Sequence, residues 1–219
     1  NISAKEQFIY RKISHNEGLT SSISSIYKEK DGDVWLGSIS GLYRFNGHDI
    51  IHLTDPLFAG KVIHGIEEDR HGGLWILSSD WIMYRREGEE EFRLMRDDSG
   101  YDTLPFFSMC EDEDGLWFGS QGCIYRYTFK DEQFVMFRNF EGRETFFCSH
   151  VNILDESTVI CSSSNGNIIV DTGTGELKEA PEWPFSEVSG IMTDSHGRLW
   201  LAFYNNGIHV YEKDGTYIR

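Results

Sequence analysis

Eight side chains in this sequence combine aromatic faces with amide, hydroxyl or carboxylate groups: Asp80, Trp81, Phe107, Gln121, Asn165, Trp183, Tyr204 and Asn205. Aromatic faces of this kind stack on the apolar faces of sugar rings, while amides and hydroxyls bond ring hydroxyl groups. Trp81 follows Asp80 directly, and Trp183 lies in Pro181-Glu182-Trp183-Pro184. The eight form the candidate ligand-binding set. For each residue taken singly, packing or contact with a neighbouring domain competes with that reading.

Catalysis on a glycan needs two carboxylates across the scissile bond, or a nucleophile beside a base. Only Asp80 and Glu187 are acids expected near the same end of the fold, and no H-E-x-x-H, G-x-S-x-G, P-loop or kinase motif occurs. No catalytic residue is assigned. The acidic clusters Glu67-Glu68-Asp69, Glu111-Asp112-Glu113-Asp114 and Lys30-Asp31-Gly32-Asp33 lack the ligand spacing of a calcium loop. They fall at one position of a repeat, which reads as hairpin-turn chemistry, with His71 and His196 as solvated turn residues. Neither a metal nor a cofactor is expected. Four cysteines contain no C-x-x-C pair, but Cys110 to Cys123 and Cys148 to Cys161 are each thirteen apart. Local bridges and buried thiols both remain open.

The 219 residues carry 20 basic and 36 acidic side chains, a net charge of −16. That sign disfavours nucleic acid and anionic membrane surfaces. A 39% apolar, 14% aromatic composition supports a real core, and 22 Gly against 4 Pro points to many tight turns. No apolar run reaches the roughly 18 residues of a membrane span, and no signal-peptide layout opens the chain. The chain as given reads as soluble, or as a trimmed piece of a secreted or membrane-anchored protein.

What must position the candidate residues is a repeat. Each unit runs: apolar residue, acidic turn with Gly, apolar-Trp-apolar, small polar residues, an alternating apolar stretch and a second turn. Its anchors are Trp35, Trp75, Trp117, Ile160 and Trp200, spaced 40, 42, 43 and 40 apart. Four short strands fit in each unit, and a period of 40 to 45 with four strands is the mark of a β-propeller. The expected class is all-β, a single propeller arc of about five four-stranded antiparallel blades over residues 1–219. Residues 1–13 supply a strand of a preceding blade, 14–53, 54–96, 97–138 and 139–180 form blades 1 to 4, and 181–219 form an incomplete blade 5. The register tryptophans are expected to pack blade on blade. Phe106-Phe107 and Phe146-Phe147 should each send one ring to the channel and one into the sheet.

The strand Trp35-Leu36-Gly37, followed by Gly41-Leu42-Tyr43-Arg44-Phe45 and preceded by Gly18-Leu19-Thr20-Ser21-Ser22-Ile23-Ser24-Ser25-Ile26, resembles the two-component regulator propeller repeat. The likeness is strong over Asp31 to Asn46, good over Glu113 to Tyr127 and Asp194 to Tyr211, weaker around Trp75 and degenerate at Ile160. WD repeats have a similar period, but their Trp-Asp and Gly-His pairs are missing. The resemblance implies a periplasmic sensor of a hybrid histidine kinase of the Bacteroides type. It also implies an oligosaccharide ligand, a homodimer formed through the sensor region, and a membrane span and kinase outside this chain. A complete ring in the family usually has seven blades. Two other classes remain: a protein-interaction scaffold, and a polysaccharide-acting enzyme using Asp80 or Glu187.

Overall fold

Short alternating apolar runs separated by Gly-containing turns form hairpins, and here they do so five times over. The computed structural model describes residues 18–30, 32–95, 105–137, 147–163, 166–179 and 188–219. The first sheet comprises β1 (Ile23–Lys28), β2 (Val34–Ser38), β3 (Gly41–Phe45) and β4 (Ile50–His52). The second comprises β5 (Ile63–Glu68), β6 (Leu74–Ser78), β7 (Ile82–Arg85) and β8 (Arg93–Met95). The third holds β9 (Phe106–Glu111), β10 (Gly115–Ser120), β11 (Ile124–Thr128) and β12 (Gln133–Phe137). In the fourth are β13 (Cys148–Asp155), β14 (Thr158–Ser163), β15 (Gly166–Asp171) and β16 (Leu177–Glu179). The fifth has β17 (Val188–Thr193), β18 (Leu199–Phe203) and β19 (Gly207–Tyr211). It is extended by a bridge between Tyr211 and Tyr217, with the Ile218 amide donating to the Val210 carbonyl at 2.8 Å.

Every sheet is antiparallel and its strands are ordered as in the chain. The first strands β1, β5, β9, β13 and β17 lie against one another in succession, which makes them the inner strands of a propeller. The expected all-β propeller of antiparallel blades is therefore what the chain forms. Phe8 to Ile13, the expected strand from a preceding blade, lies outside the described residues.

The core sits between sheets. Trp35 packs with Ile63, Ile66 and Ile76 of the second sheet, and Trp75 with Phe118 and Tyr127 of the third. Trp117 packs with Cys148 and Val151 of the fourth sheet, and Ile160 with Leu199 and Leu201 of the fifth. A single register position thus fills each interface, as the repeat predicts. The Gly of the Trp-Leu-Gly strand has a related cause. A Cβ on Gly37 would stand 2.7 Å from Ile63 Cγ2, and one on Gly119 would stand 2.7 Å from the Cys148 carbonyl oxygen. Only a missing side chain lets the next inner strand come this close.

The acidic turns are indeed hairpin chemistry, and they also hold the tryptophans. Asp69 Oδ1 accepts the amides of His71 and Gly73, both at 2.9 Å, while Oδ2 accepts the Trp75 indole N–H at 2.7 Å. Asp112 does the same for Asp114, Gly115 and Trp117, and Asp194 for His196, Arg198 and Trp200. His71, taken as a solvated turn residue, also meets the Phe129 ring of the third sheet edge-on at 4.7 Å.

The Arg198 guanidinium, followed by the Trp200 indole and the turn amides, holds the Asp194 carboxyl far below the usual carboxylate range. A depressed folded-state pKa means stability that is present above the unfolded value, about 4, and lost as pH falls towards the folded one. Asp194→Asn should therefore melt below the wild type at pH 7, and the two should converge as pH drops below about 4. A gap in melting temperature that stays constant from neutral to acid pH would contradict this.

The two thirteen-residue cysteine spacings differ in outcome. Cys148 and Cys161 stand on adjacent strands and form a disulfide with a Cα–Cα distance of 5.7 Å. Cys110 on β9 and Cys123, just before β11, have β10 between them and do not pair with each other. Burial, with the Asp112 and Glu67 carboxylates adding, pushes the Cys110 thiol well above its ordinary pKa. The thiol is only partly exposed, packed against the core between the third and fourth sheets, and its raised pKa disfavours the reactive thiolate.

Candidate functional site

All five inner strands carry an irregularity at the same place. In β5, Ile63 faces Ser78 and Gly65 faces Leu77, so His64 is the extra residue of a bulge. The same slip leaves Ser24, Phe107, Ser149 and Ser189 as the extra residues of β1, β9, β13 and β17. A bulge frees one residue from the ladder and redirects its side chain, and bulges concentrate next to sites. Because the inner strands adjoin one another, the five extra residues form an arc around the propeller axis. The β2–β3, β6–β7, β10–β11 and β18–β19 loops lie at this same end, since the start of each inner strand pairs with the end of the strand that follows it.

At the middle of the arc the rings touch. Phe107 meets His64 at 5.0 Å and Phe147 at 4.3 Å between centroids. Phe147 is 37% exposed and bridges to Gln121 of the β10–β11 loop. Phe106, its neighbour Phe107 aside, is buried in the interface core, so the Phe106-Phe107 pair divides as expected, while Phe146 lies outside the described residues. Hydroxyls and imidazoles flank the rings. Ser24 Oγ donates to the Ile63 carbonyl, Ser189 Oγ to the Ala202 carbonyl at 3.2 Å, and Ser149 Oγ sits 3.1 Å from His150 Nδ1. Burial lowers the pKa of both His64 and His150, which keeps the imidazoles neutral at pH 7. The arc thus offers an aromatic surface edged with uncharged hydrogen-bonding groups. Such a surface suits a neutral polyhydroxylated ligand.

The sequence-derived residues divide over this end. Phe107 and Gln121 are joined through Phe147. Asp80 and Trp81 occupy the β6–β7 loop but are drawn into the connection preceding β5: Asp80 is ion-paired to Lys61, whose ammonium stands 4.2 Å from the Trp81 ring centroid. The Trp81 indole donates to the Leu57 carbonyl at 3.3 Å. One face of Trp81 and its N–H are thereby occupied from within the chain. Tyr204, 74% exposed, and Asn205 stand on the turn between β18 and β19. Asn165, Trp183 and Glu187 lie outside the described residues. Phe147 belongs to the Phe146-Phe147 pair that the sequence places at the channel, whereas His64, His150 and Lys61 were not singled out by composition or spacing. Among the described residues, no three His, Cys, Asp or Glu side chains are grouped to hold a metal ion, and no helix is long and apolar enough to cross a membrane.

Residues 100–122 match the family model described as two component regulator propeller. That span covers β9 and β10 and includes Phe107 and Gln121. No curated protein matches the chain. Among solved structures, the fold is similar to the extracellular domain of the putative hybrid two component system BT3049 from B. thetaiotaomicron. The TM-score is 0.74 at 14% identity, covering 95% of this chain and 31% of that one. The extracellular domain of the putative hybrid two component system BT4673 from the same organism gives 0.71 at 15% identity over 86% of this chain and 27% of that one. This chain therefore spans under a third of either relative. Virginiamycin B lyase from Staphylococcus aureus shares the fold at a TM-score of 0.70 and 14% identity, covering 92% of this chain and 70% of the lyase.

Proposed function

We propose that this chain is a ligand-sensing propeller segment of an extracytoplasmic two-component regulator, and that its inner-strand arc binds a neutral oligosaccharide. The observation that carries the proposal is the contact row His64–Phe107–Phe147, an aromatic surface edged by neutral imidazole and hydroxyl groups on a repeated bulge. The match to a two-component regulator propeller and the fold shared with two extracellular sensor domains support the setting. The Cys148–Cys161 disulfide supports an oxidising compartment such as the periplasm. In this reading the segment is part of a seven-bladed ring and acts as a homodimer without catalysis of its own. The ligand binds one arrangement of the dimer better than the other, and the population shift crosses the membrane to a histidine kinase.

The test is thermal shift of the complete sensor region against a panel of neutral and uronate-bearing oligosaccharides. The proposal expects at least one neutral glycan to raise the melting temperature and the uronate series not to. It fails if no neutral glycan stabilises the protein while a protein partner does, the outcome a scaffold predicts.

A polysaccharide-acting enzyme is the second reading; the fold shared with virginiamycin B lyase supports only that a propeller of this kind can carry catalysis. It requires turnover that Asp80→Asn removes. The engagement of Asp80 by Lys61 weighs against it.

A further inference from the structure

The three serines at the bulged position of the inner strands use their hydroxyls in one way. Ser24 Oγ donates to the Ile63 carbonyl at 2.5 Å, and Ser189 Oγ to the Ala202 carbonyl at 3.2 Å. Ser149 Oγ stands 3.2 Å from the Ser162 carbonyl and 3.1 Å from His150 Nδ1, so its hydrogen stays within the chain whichever imidazole nitrogen is protonated. A hydroxyl has one hydrogen to give and two lone pairs to receive. With the hydrogen committed inward, each serine presents lone pairs to the axis. Ser24 and Ser189 are exposed and Ser149 partly so, which leaves these acceptors within reach of a ligand.

Their order around the axis is Ser24, His64, Phe107, Ser149 and Ser189, so acceptors flank the aromatic row on both sides. A serine turned outward to donate would forfeit its bond within the chain, so this polarity belongs to the fold. A ligand laid on the rings must bring hydrogens to both flanks. Free sugar hydroxyls bring them, whereas ethers and esters of the same sugar bring only further lone pairs.

We propose that the arc selects glycans by their free hydroxyl hydrogens. It binds unsubstituted oligosaccharides and rejects O-alkylated or O-acylated ones, with Ser24, Ser149 and Ser189 as the specificity-determining acceptors. This rests on the reading of the arc as a neutral-oligosaccharide site, and adds the groups by which a ligand is told from its substituted forms.

Calorimetric titration of the complete sensor region with the neutral tetrasaccharides of glucose, xylose and mannose tests it, each supplied free and fully O-methylated. A site built to bond a hydroxyl discriminates sharply against the analogue lacking it. At least one free tetrasaccharide is expected to bind tenfold or more tightly than its methyl ether. The combined variant Ser24→Ala, Ser149→Ala, Ser189→Ala should weaken the free form at least tenfold and leave the methyl ether unchanged, which also reports that the arc remains folded. Equal binding of the two forms, or a preference that survives in the triple variant and so reflects the bulk of the methyl groups, would overturn this inference and leave the neutral-glycan reading standing. If no free tetrasaccharide binds, both fall.

Discussion

Truncating Trp117 to alanine is expected to destabilise the protein by about 3–5 kcal/mol, the range for removing a large buried aromatic side chain from a core. The reason is positional. Trp117 is fully buried between the third and fourth sheets, against Cys148, Val151 and the stacked ring of Phe137 at 5.4 Å. Cutting the side chain back leaves a cavity between two sheets that otherwise meet over few large residues. Trp200 occupies the same register in the fifth sheet but is only partly buried, with the Arg219 guanidinium 5.3 Å from its ring. Trp200→Ala should therefore cost less than half as much. Urea unfolding of the two variants side by side measures this. Equal losses would mean that the register tryptophans act within their own sheet and not across the interface.

Asp69→Ala is the second large effect, at about 2–4 kcal/mol for three hydrogen bonds to a charged acceptor and the donors left without one. Asp69 is buried, and its two oxygens take the turn amides of His71 and Gly73 and the indole of Trp75. Its removal unpins the turn and the interface tryptophan together. Asp69→Asn separates the two contributions. The amide oxygen can still accept the turn N–H groups, but its NH₂ would face the indole donor. An intermediate loss is predicted for Asn, with Ala the larger. If Asn and Ala are equally destabilised, the indole bond carries the whole effect; if Asn matches wild type, it carries none.

Much of this architecture is legible in the sequence because a repeated unit reports one interface several times. Trp35, Trp75, Trp117 and Trp200 at near-constant spacing identify the strand that faces the next sheet, and Asp-x-x-Gly marks the turn before it. The indole bond to the turn carboxylate was also written there, as an acid five or six residues before each tryptophan, with Glu29 as the exception. The bulge was not. Of Ser24, His64, Phe107, Ser149 and Ser189, three are serine and two are aromatic rings, so no one residue type marks the position, because a bulge is defined by a shift of pairing and not by a side chain. Phe107 was accessible through strand alternation, whereas His64 was not. Asp80 and Trp81 look like free mouth residues in one dimension; Lys61, nineteen residues earlier, claims both only once the connection folds back. The cysteines make the same point, since two equal spacings give one bridge, decided by strand adjacency.

The most direct measurement is calorimetric titration of a stabilising neutral oligosaccharide into the complete sensor region and into its Phe107→Ala variant. Phe107 stands between His64 and Phe147 with its ring partly exposed, so its loss removes the stacking surface from the arc while the interface core beneath stays intact. At least a tenfold loss of affinity with an unchanged unfolding midpoint of the free protein is the predicted result. Undiminished affinity in a folded Phe107→Ala variant would contradict the account and move the ligand away from the axial arc.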